Sequence, residues 1–246
     1  MDTSIKTLFL DIETAPSLGW VWEKYETNVI DFKSDWYILS YGYKWLGDGD
    51  VRVVGLIDFS GYKRDRENDK QLMKSLWKLL DEADIVVAHN GDKFDIKKIN
   101  TRFLTHGLKP PTPYKTVDTL KIARSKFAFD SNKLDDLGRY LGVGRKVPNT
   151  GFHLWRGCML GEAQAWKQMK QYNGHDVELL ERVYNIVFPW DTKHPAVNLG
   201  QRDMCPKCGS TDVQKRGYNY TQLSRAQRYQ CQQCYGWFAG GSKRIK

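Results

Sequence analysis

The chain has 246 residues, enough for one sizeable domain together with a smaller one. Its composition, 41% hydrophobic and 13% aromatic, excludes a disordered chain, and no apolar run approaches the length of a membrane span. The net charge of +9 is uneven, because residues 201–246 hold nine Lys or Arg against two acids, a balance of +7.

This local excess of positive charge predicts an anionic partner, and nucleic acid is the commonest such partner. The alternative is that the charge serves solubility alone. The first thirteen residues contain only a short apolar stretch and do not read as an export signal. We therefore expect a cytoplasmic protein that does not engage a membrane.

The first half of the chain alternates between strand-like and helix-like patterns. The predicted strands cover residues 7–13, 36–46, 51–58 and 84–90, and the predicted helices cover 69–83 and 92–107. A short connection, "GDGD", joins the second and third strands and is typical of a hairpin. Leucines at helical spacing identify the first helix, and Gly107 is expected to end the second.

The second half predicts a short strand ending in "VDTL", a short helix over residues 133–142, and a long helix over 161–187 that Gly174 interrupts. A hairpin followed by alternating helices and strands indicates an α/β fold with a mixed sheet flanked by helices. Residues 189–203 carry prolines and no periodicity, so we interpret them as a linker between residues 1–188 and residues 204–246.

Two acids, Asp11 and Glu13, stand at the end of the first strand. Residues two apart in a strand point to the same face, so these carboxylates lie side by side at the edge of an apolar sheet. Like charges in a partly desolvated position cost free energy unless a cation lies between them. The pair is therefore either a harmless turn or half of a metal site.

Two further features supply candidate acids. Asp95 falls in the first turn of the helix after the strand over 84–90, where an acid is also explained by the helix dipole alone. Tyr172 and Asp176 are four residues apart and share a helix face, as many unrelated pairs do. Together the four acids match two hard divalent cations, Mg²⁺ or Mn²⁺, of the kind that support in-line phosphoryl displacement.

Three motifs carry a resemblance to a known family: "DIE" on the first strand, "HNGDKFD" after the strand over 84–90, and "YNGHD" on the long helix. In order and spacing, over about residues 5–187, they resemble the DEDD family of 3′→5′ exonucleases, which includes polymerase proofreading domains and has a ribonuclease H-like fold. The resemblance implies that Asp11, Glu13 and Asp176 bind one metal ion, with Asp11 bridging to a second that Asp95 supports.

The same resemblance implies a role for a tyrosine. In the Tyr branch of the family (DEDDy) this residue lies four positions before the last acid and orients the attacking water, and Tyr172 fits. The His branch places its histidine five positions before, where this chain has Gln171, so we expect His175 to be a partly exposed helix residue.

Further family roles fall on positions next to the motifs. The main-chain N–H groups of Thr14 and Ala15 are expected to hold the terminal sugar, and Asn90 and Phe94 to contact the last nucleotides. Asp118 is expected to be a helix N-cap. The stretches "DWYILSYGYKWLG", "GFHLWRGCMLGEAQAW" and "YNGHDVELLERVY" are similar to small exonuclease-like proteins of phages, which implies the host cytoplasm as location.

Four cysteines form the pattern C-x2-C-x22-C-x2-C, namely Cys205, Cys208, Cys231 and Cys234. Two such knuckles hold one tetrahedral Zn²⁺, whereas disulfides are disfavoured in a cytoplasmic chain. We expect a small β-type zinc ribbon over residues 204–246 with strands over 212–218 and 227–238, folded largely by its metal. The fifth cysteine, Cys158, is expected to be a buried apolar residue.

Arginines and aromatic residues alternate in this module, a composition that suits single-stranded nucleic acid. The candidate contacts are Arg216, Arg225 and Arg228. We expect at least half of the six aromatic side chains to form the module's own core, and a protein partner of the ribbon stays an alternative.

The sequence as a whole predicts a metal-dependent 3′→5′ exonuclease with two Mg²⁺ or Mn²⁺ and one structural Zn²⁺. It would release nucleoside 5′-monophosphates from the 3′ end of single-stranded nucleic acid, with DNA favoured. An exoribonuclease is one alternative, because contacts to the 2′-OH cannot be read from sequence. A catalytically inactive binding or interaction module is another, and the intact set of acids argues against it.

Overall fold

The computed structural model describes residues 5–198, 200–201 and 204–244. Its strands are β1 (Thr7–Thr14), β2 (Leu18–Trp20), β3 (Asp31–Ser34), β4 (Ile38–Trp45), β5 (Arg52–Gly55), β6 (Ile85–Ala88), β7 (Lys115–Asp118), β8 (Val213–Tyr220), β9 (Ser224–Cys231) and β10 (Trp237–Arg244). Its α-helices are α1 (Lys70–Asp81), α2 (Asp95–Thr105), α3 (Thr119–Lys126), α4 (Leu134–Tyr140), α5 (Phe152–Leu160) and α6 (Ala163–Val187).

The central sheet has five strands in the order β5-β4-β1-β6-β7. The predicted hairpin of β4 and β5 is confirmed, and β4 also pairs antiparallel to β1, while β6 and β7 run parallel to β1 and to each other. The sheet is therefore mixed, as the sequence predicts. Among the described residues, no helix has both the length and the apolar character needed to cross a bilayer.

Strand β1 lies in the middle of the sheet and is buried on both faces. Leu8, Leu10 and Ile12 face one apolar cluster together with α1 and α2, whereas Phe9 faces a second cluster together with α3, α4 and the C-terminal half of α6. Because side chains alternate along a strand, Asp11 and Glu13 share the face of Phe9. The alternation of β1 thus aims both acids toward α6.

Helix α6 runs antiparallel to β1 across this face. Asn173 lies against Asp11. Two residues earlier on β1 and eleven residues later on α6, the Tyr184 ring meets the Phe9 ring edge-on at 5.2 Å. The predicted interruption at Gly174 is wrong, since α6 is continuous through it. A glycine costs a helix only about 1 kcal/mol, and burial of α6 against β1 and β4 outweighs that cost.

The close approach of α6 depends on Gly42, the residue of β4 directly opposite Asp11. A Cβ atom at this position would lie 2.9 Å from the carbonyl oxygen of Asn173, nearer than van der Waals contact allows. The absence of a side chain at Gly42 therefore lets α6 lie close to the sheet at the point where Asp11 and Asp176 meet.

The hairpin of β2 and β3 and helix α5 were not expected from the sequence. The hairpin of β2 and β3 pairs only with itself among the described strands, and its three and four residues are too short for a clear pattern. Helix α5 lies between two glycines and has no side-chain cap. Helix α3 begins directly after Asp118, whose predicted role is confirmed because its Oδ1 accepts from the Leu120 N–H at 3.0 Å.

The C-terminal module is a three-stranded antiparallel sheet in the order β10-β9-β8. The single strand predicted over 227–238 is wrong: the second cysteine pair forces a turn that divides it into β9 and β10. Only Tyr229 and Phe238 stack in the module, 5.2 Å apart, so the expectation that half of its aromatics form a core is also wrong. The other four are exposed: Tyr218, Tyr220, Tyr235 and Trp237.

The described part of 189–203, which we expected to be a linker, packs against its neighbours. Phe188–Trp190 forms a 3₁₀ turn, the imidazole of His194 lies 2.8 Å from the Tyr184 hydroxyl, and the Val197 N–H donates to Pro206 O at 2.7 Å. Cys208 and Cys234 pack on the apolar cluster at the end of α6. The ribbon is thus seated on the C-terminal end of α6.

Candidate active site and cysteine cluster

Asp11 is held by the neighbouring helix. The side-chain amide of Asn173 on α6 donates to Asp11 Oδ2 at 2.7 Å and to the Asp11 carbonyl oxygen at 3.2 Å. Asn173 is itself fixed by Ser40 on β4, whose hydroxyl donates to Asn173 Oδ1 at 3.0 Å. Three elements therefore set the position of one carboxylate.

Asp176 lies one turn further along α6 and is almost fully buried. Its Oδ2 accepts a hydrogen bond from Lys146 Nζ at 2.7 Å, whereas its Oδ1 has no hydrogen-bond partner among the described residues. A buried carboxylate oxygen without a partner is rare, because desolvation is then uncompensated. The oxygen is a fitting ligand for a cation.

The structure brings Asp11, Glu13 and Asp176 together. Each offers an oxygen within 4.8 Å of the others. Such a set of hard oxygen donors fits Mg²⁺ or Mn²⁺. Asp95 stands outside this group but beside it, buried, with its Oδ1 accepting from the N–H of Ile12 at 3.1 Å, between the two acids of β1.

The electrostatics of the four acids agree with a cation site. Desolvation, followed by the charges of the neighbouring acids, raises the pKa of Asp11 well above its usual range. Desolvation and Asp176 raise the pKa of Glu13 to about 8, and desolvation raises the pKa of Asp95 to about 7. Without a cation, these carboxylates therefore hold protons close to neutral pH.

Lys146, in the loop between α4 and α5, enters the acid cluster. Its Nζ lies 2.7 Å from Asp176 Oδ2 and 3.3 Å from the Tyr172 hydroxyl. Burial by itself would lower the pKa of this lysine, but Asp176 raises it on balance, so the group stays charged. Sequence reasoning missed Lys146 because nothing in "GVGRKVPN" distinguishes it from a solvated charge.

Tyr172 and Asp176 lie on one side of α6, as their spacing predicts. The Tyr172 ring packs edge-on against Trp155 at 5.8 Å, and burial raises the pKa of its hydroxyl. Trp155 also donates its indole N–H to Glu13 Oε2 at 3.2 Å, a contact that sequence reasoning missed. His175 is partly exposed, as expected, and lies 2.7 Å from the Arg145 carbonyl oxygen.

The positions expected to contact substrate lie near the acids, with one correction. Asn90 and Phe94 lie in the turn that leads into α2, whose first residue is Asp95, and Phe94 is exposed. The N–H of Ala15, however, already donates to Tyr37 O at 2.9 Å, so it is not free to hold a sugar. Of the two expected main-chain donors, the prediction is kept for Thr14 alone.

The four cysteines of the ribbon converge on one point. The sulfur of Cys205 lies 3.8 Å from that of Cys234, and the sulfur of Cys208 lies 3.6 Å from that of Cys231. A tetrahedron with metal–sulfur bonds of about 2.3 Å has edges of about 3.8 Å. The distances fit one Zn²⁺ held by four thiolates and exclude disulfide bonds of about 2.05 Å.

The arginines predicted to contact nucleic acid are all exposed on β8 and β9. Arg225 lies 5.2 Å from the Tyr218 ring centroid, and Arg228 lies 5.2 Å from the Trp237 ring. Basic and aromatic groups therefore stand side by side on the ribbon surface.

Comparison with known proteins identifies the class. Residues 8–188 match a family described as the RNase_H superfamily, and because the match covers most of the chain, the protein belongs to that family. The fold is similar to the family B DNA polymerase of the hyperthermophilic archaeon Pyrobaculum calidifontis, with a TM-score of 0.55 and 15% identity. The likeness covers 76% of this chain but 25% of the polymerase chain. No curated protein matches this chain in sequence.

Binding of Mg²⁺ should release protons and strengthen with pH. Carboxylates must lose their protons to bind the ion, and two of them titrate near pH 7 and pH 8. We expect the apparent association constant to rise about tenfold per pH unit for each displaced proton, measured by calorimetry in buffers of different ionisation enthalpy. An affinity that stays flat from about pH 6 to about pH 9 would contradict the raised pKa values.

The ribbon should contain one zinc ion per chain and need it to fold. Cys205→Ser is expected to lose the metal and the ordered structure of β8 to β10, because forty residues bury too little apolar surface without it. Metal analysis and circular dichroism of the full chain provide the measurement. Cys158→Ala is the matched control and should keep one zinc, since Cys158 lies on the buried face of α5 and outside the cysteine cluster.

Proposed function

We propose that this chain is a 3′→5′ exonuclease of the Tyr branch of the DEDD family, acting on single-stranded nucleic acid. The observation that carries the proposal is the convergence of Asp11, Glu13 and Asp176 with an unpartnered buried oxygen on Asp176. Family membership and the polymerase-like fold support a nuclease. The direction, the substrate strand and the branch are inferences from the motifs.

Two divalent ions, when bound, would neutralise the four acids and supply a nucleophile at neutral pH. Asp11, Glu13 and Asp176 would hold one ion, and Asp11 with Asp95 the other. Asn173 fixes the Asp11 carboxylate that both ions would share. Trp155 fixes Glu13, so the ligands need little rearrangement before they bind.

Tyr172 is proposed to orient the attacking water through its hydroxyl. The raised pKa of this hydroxyl makes it a hydrogen-bond donor and acceptor rather than a base. The Nζ of Lys146 lies 3.3 Å from the Tyr172 hydroxyl and would keep a positive charge beside the site where phosphate charge develops. Phe94 and Asn90 would contact the last nucleotides, and the main-chain N–H of Thr14 would hold the terminal sugar.

We favour DNA over RNA as substrate because the fold resembles that of a DNA polymerase, and an exoribonuclease stays the second candidate. A catalytically inactive binding module fits less well, since such a module would not need to keep four crowded acids. The phage-like stretches favour a phage-encoded protein that works in the host cytoplasm.

Removal of either central acid should abolish hydrolysis. Asp11→Asn and Asp176→Asn each remove one of the charged ligands of the cation, and we expect turnover of a 5′-labelled oligonucleotide to fall by at least about 10³-fold. Matched DNA and RNA strands, assayed with Mg²⁺, Mn²⁺ or EDTA, distinguish the two nuclease candidates. Robust hydrolysis by either folded variant would reject the site.

The hydroxyl of Tyr172 should matter for rate but not for binding. Tyr172→Phe keeps the ring on Trp155 and should slow hydrolysis by roughly 10²-fold, the lower range for a positioned acid–base group. His175→Ala, one residue before Asp176, serves as control and should change little. If the histidine variant is the slower of the two, the Tyr-branch assignment is wrong.

The exposed arginines of the ribbon should contribute affinity through phosphate contacts. Replacing Arg216, Arg225 and Arg228 with alanine should flatten the slope of log K against log salt by about 2, because each single-strand phosphate contact contributes about 0.7. Replacing Lys70, Lys74 and Lys78 of α1 removes the same charge elsewhere and should leave the slope unchanged. If the two triple variants have equal slopes, the ribbon arginines contribute no more than the α1 lysines, and a protein becomes the favoured partner of the ribbon.

A further inference from the structure

A cavity of about 690 Å³ lies where the C-terminal end of α6 meets the second cysteine knuckle. Ile186, Phe188 and Trp190 line one side, and Lys207, Tyr235 and Trp237 line the other. Its volume falls in the range of small-molecule sites, which is about 300–1,000 Å³. Both the nuclease-like part and the ribbon thus contribute walls to one concave site.

The aromatic side chains around this cavity are open to solvent. The exposed fractions are 59% for Trp190, 68% for Tyr235 and 46% for Trp237, whereas Phe188 beneath them is buried. Phe127 packs edge-on against Trp190 at 5.4 Å and fixes its indole without covering it. Single exposed aromatic side chains are common on protein surfaces. Three large ones together at one cavity are instead typical of a binding site.

Tyr235 also adopts a costly backbone conformation. It follows Cys234 directly and has φ of +60°, the left-handed region. Gly209 holds the equivalent position after Cys208 in the first knuckle, with φ of +74°. The geometry of a knuckle therefore favours glycine, and a bulky residue at this backbone angle is strained. A tyrosine at such a strained position points to a use for its side chain.

Basic and acidic groups both stand near the cavity, since the thiolates of Cys208 and Cys234 lie in its wall. Lys207 lines it, Lys126 donates to the hydroxyl of Thr192 on its rim at 3.1 Å, and Arg228 lies 5.2 Å from the Trp237 ring. Asp191 is an acid between two lining residues, Trp190 and Thr192, and Lys207 Nζ donates to the carbonyl oxygen of Pro189 in the cavity wall. Rings for stacking beside cations for phosphate form the arrangement that binds single-stranded nucleic acid.

We propose that this cavity binds one nucleotide of the strand whose 3′ end lies at the catalytic acids, with the base against Tyr235 and Trp190 and the phosphate near Lys207. The inference rests on the proposed function. Ile186 lies ten residues beyond Asp176 on α6, about 15 Å at 1.5 Å per residue. Stacked nucleotides rise about 3.4 Å each, so the occupant would be about four nucleotides from the 3′ end.

The test is the binding of fluorescein-labelled oligothymidylates to the full chain, with Ca²⁺ in place of Mg²⁺ to suppress hydrolysis. Strands of about 12 nucleotides reach the cavity and strands of about 3 do not, given the 3.4 Å rise. Tyr235→Gly should weaken binding of the long strand about tenfold, in the range for loss of one stacked base, and leave the short strand unchanged. Its melting temperature should hold or rise, because glycine relieves the strain at this φ.

Two further variants make the result specific. Trp190→Ala should reproduce the loss for the long strand from the other wall of the cavity. Tyr25→Ala removes an aromatic that is 88% exposed in the connection between β2 and β3, outside both the cavity and the ribbon, and should leave both affinities unchanged. An unchanged long-strand affinity in folded Tyr235→Gly overturns the proposal and leaves a protein as the better occupant.

Equal losses of affinity for the short and the long strand in Tyr235→Gly would also overturn the proposal, because the cavity would then not act at a distance from the 3′ end. The proposed nuclease function fails separately, if the wild-type chain hydrolyses neither DNA nor RNA with Mg²⁺. In that event the length-dependent loss in Tyr235→Gly still supports nucleotide binding by the cavity.

Discussion

Four carboxylates lie within a small volume at the end of β1, and their mutual repulsion is the constraint on which the rest of the site depends. Desolvation raises the pKa values of Asp11, Glu13, Asp95 and Asp176, and neighbouring acids add to the rise at the first three. A chain that only needed to fold would bury apolar side chains here. Divalent cations remove the repulsion, and the acids in turn select hard cations.

The surrounding elements compensate this charge only in part. Lys146 pairs with Asp176, the Asn173 amide with Asp11, and the Trp155 indole with Glu13. One full positive charge faces four acids, so a net negative site remains for metal. Each of these donors also holds its carboxylate in place, which keeps the ligand set organised before a cation binds.

Strand β1 and the face of α6 could be predicted because periodicity alone places Asp11 beside Glu13 and Tyr172 beside Asp176. The place of Lys146 in the site could not be predicted, because it depends on the path of a loop whose sequence has no periodic pattern. The contact of Trp155 with Glu13 could be predicted only if α5 were recognised in the sequence. No side chain caps the start of α5, so nothing marks where this helix begins. In the ribbon, cysteine spacing predicted the metal cluster, but the arrangement of the strands and the seat on α6 depend on tertiary packing.

The most direct measurement is the thermal unfolding of the wild-type chain and Asp11→Asn at a pH of about 8.5, with EDTA and with Mg²⁺. Asparagine preserves the shape and the bond to Asn173 but removes one repelling charge. The repulsion grows as the acids ionise with rising pH, so the account predicts that the variant melts several degrees higher in EDTA, at about 2–4 °C per kcal/mol. Mg²⁺ should raise the melting temperature of the wild type alone. A variant that melts below the wild type in EDTA, and gains equally from Mg²⁺, would contradict a metal site at these acids.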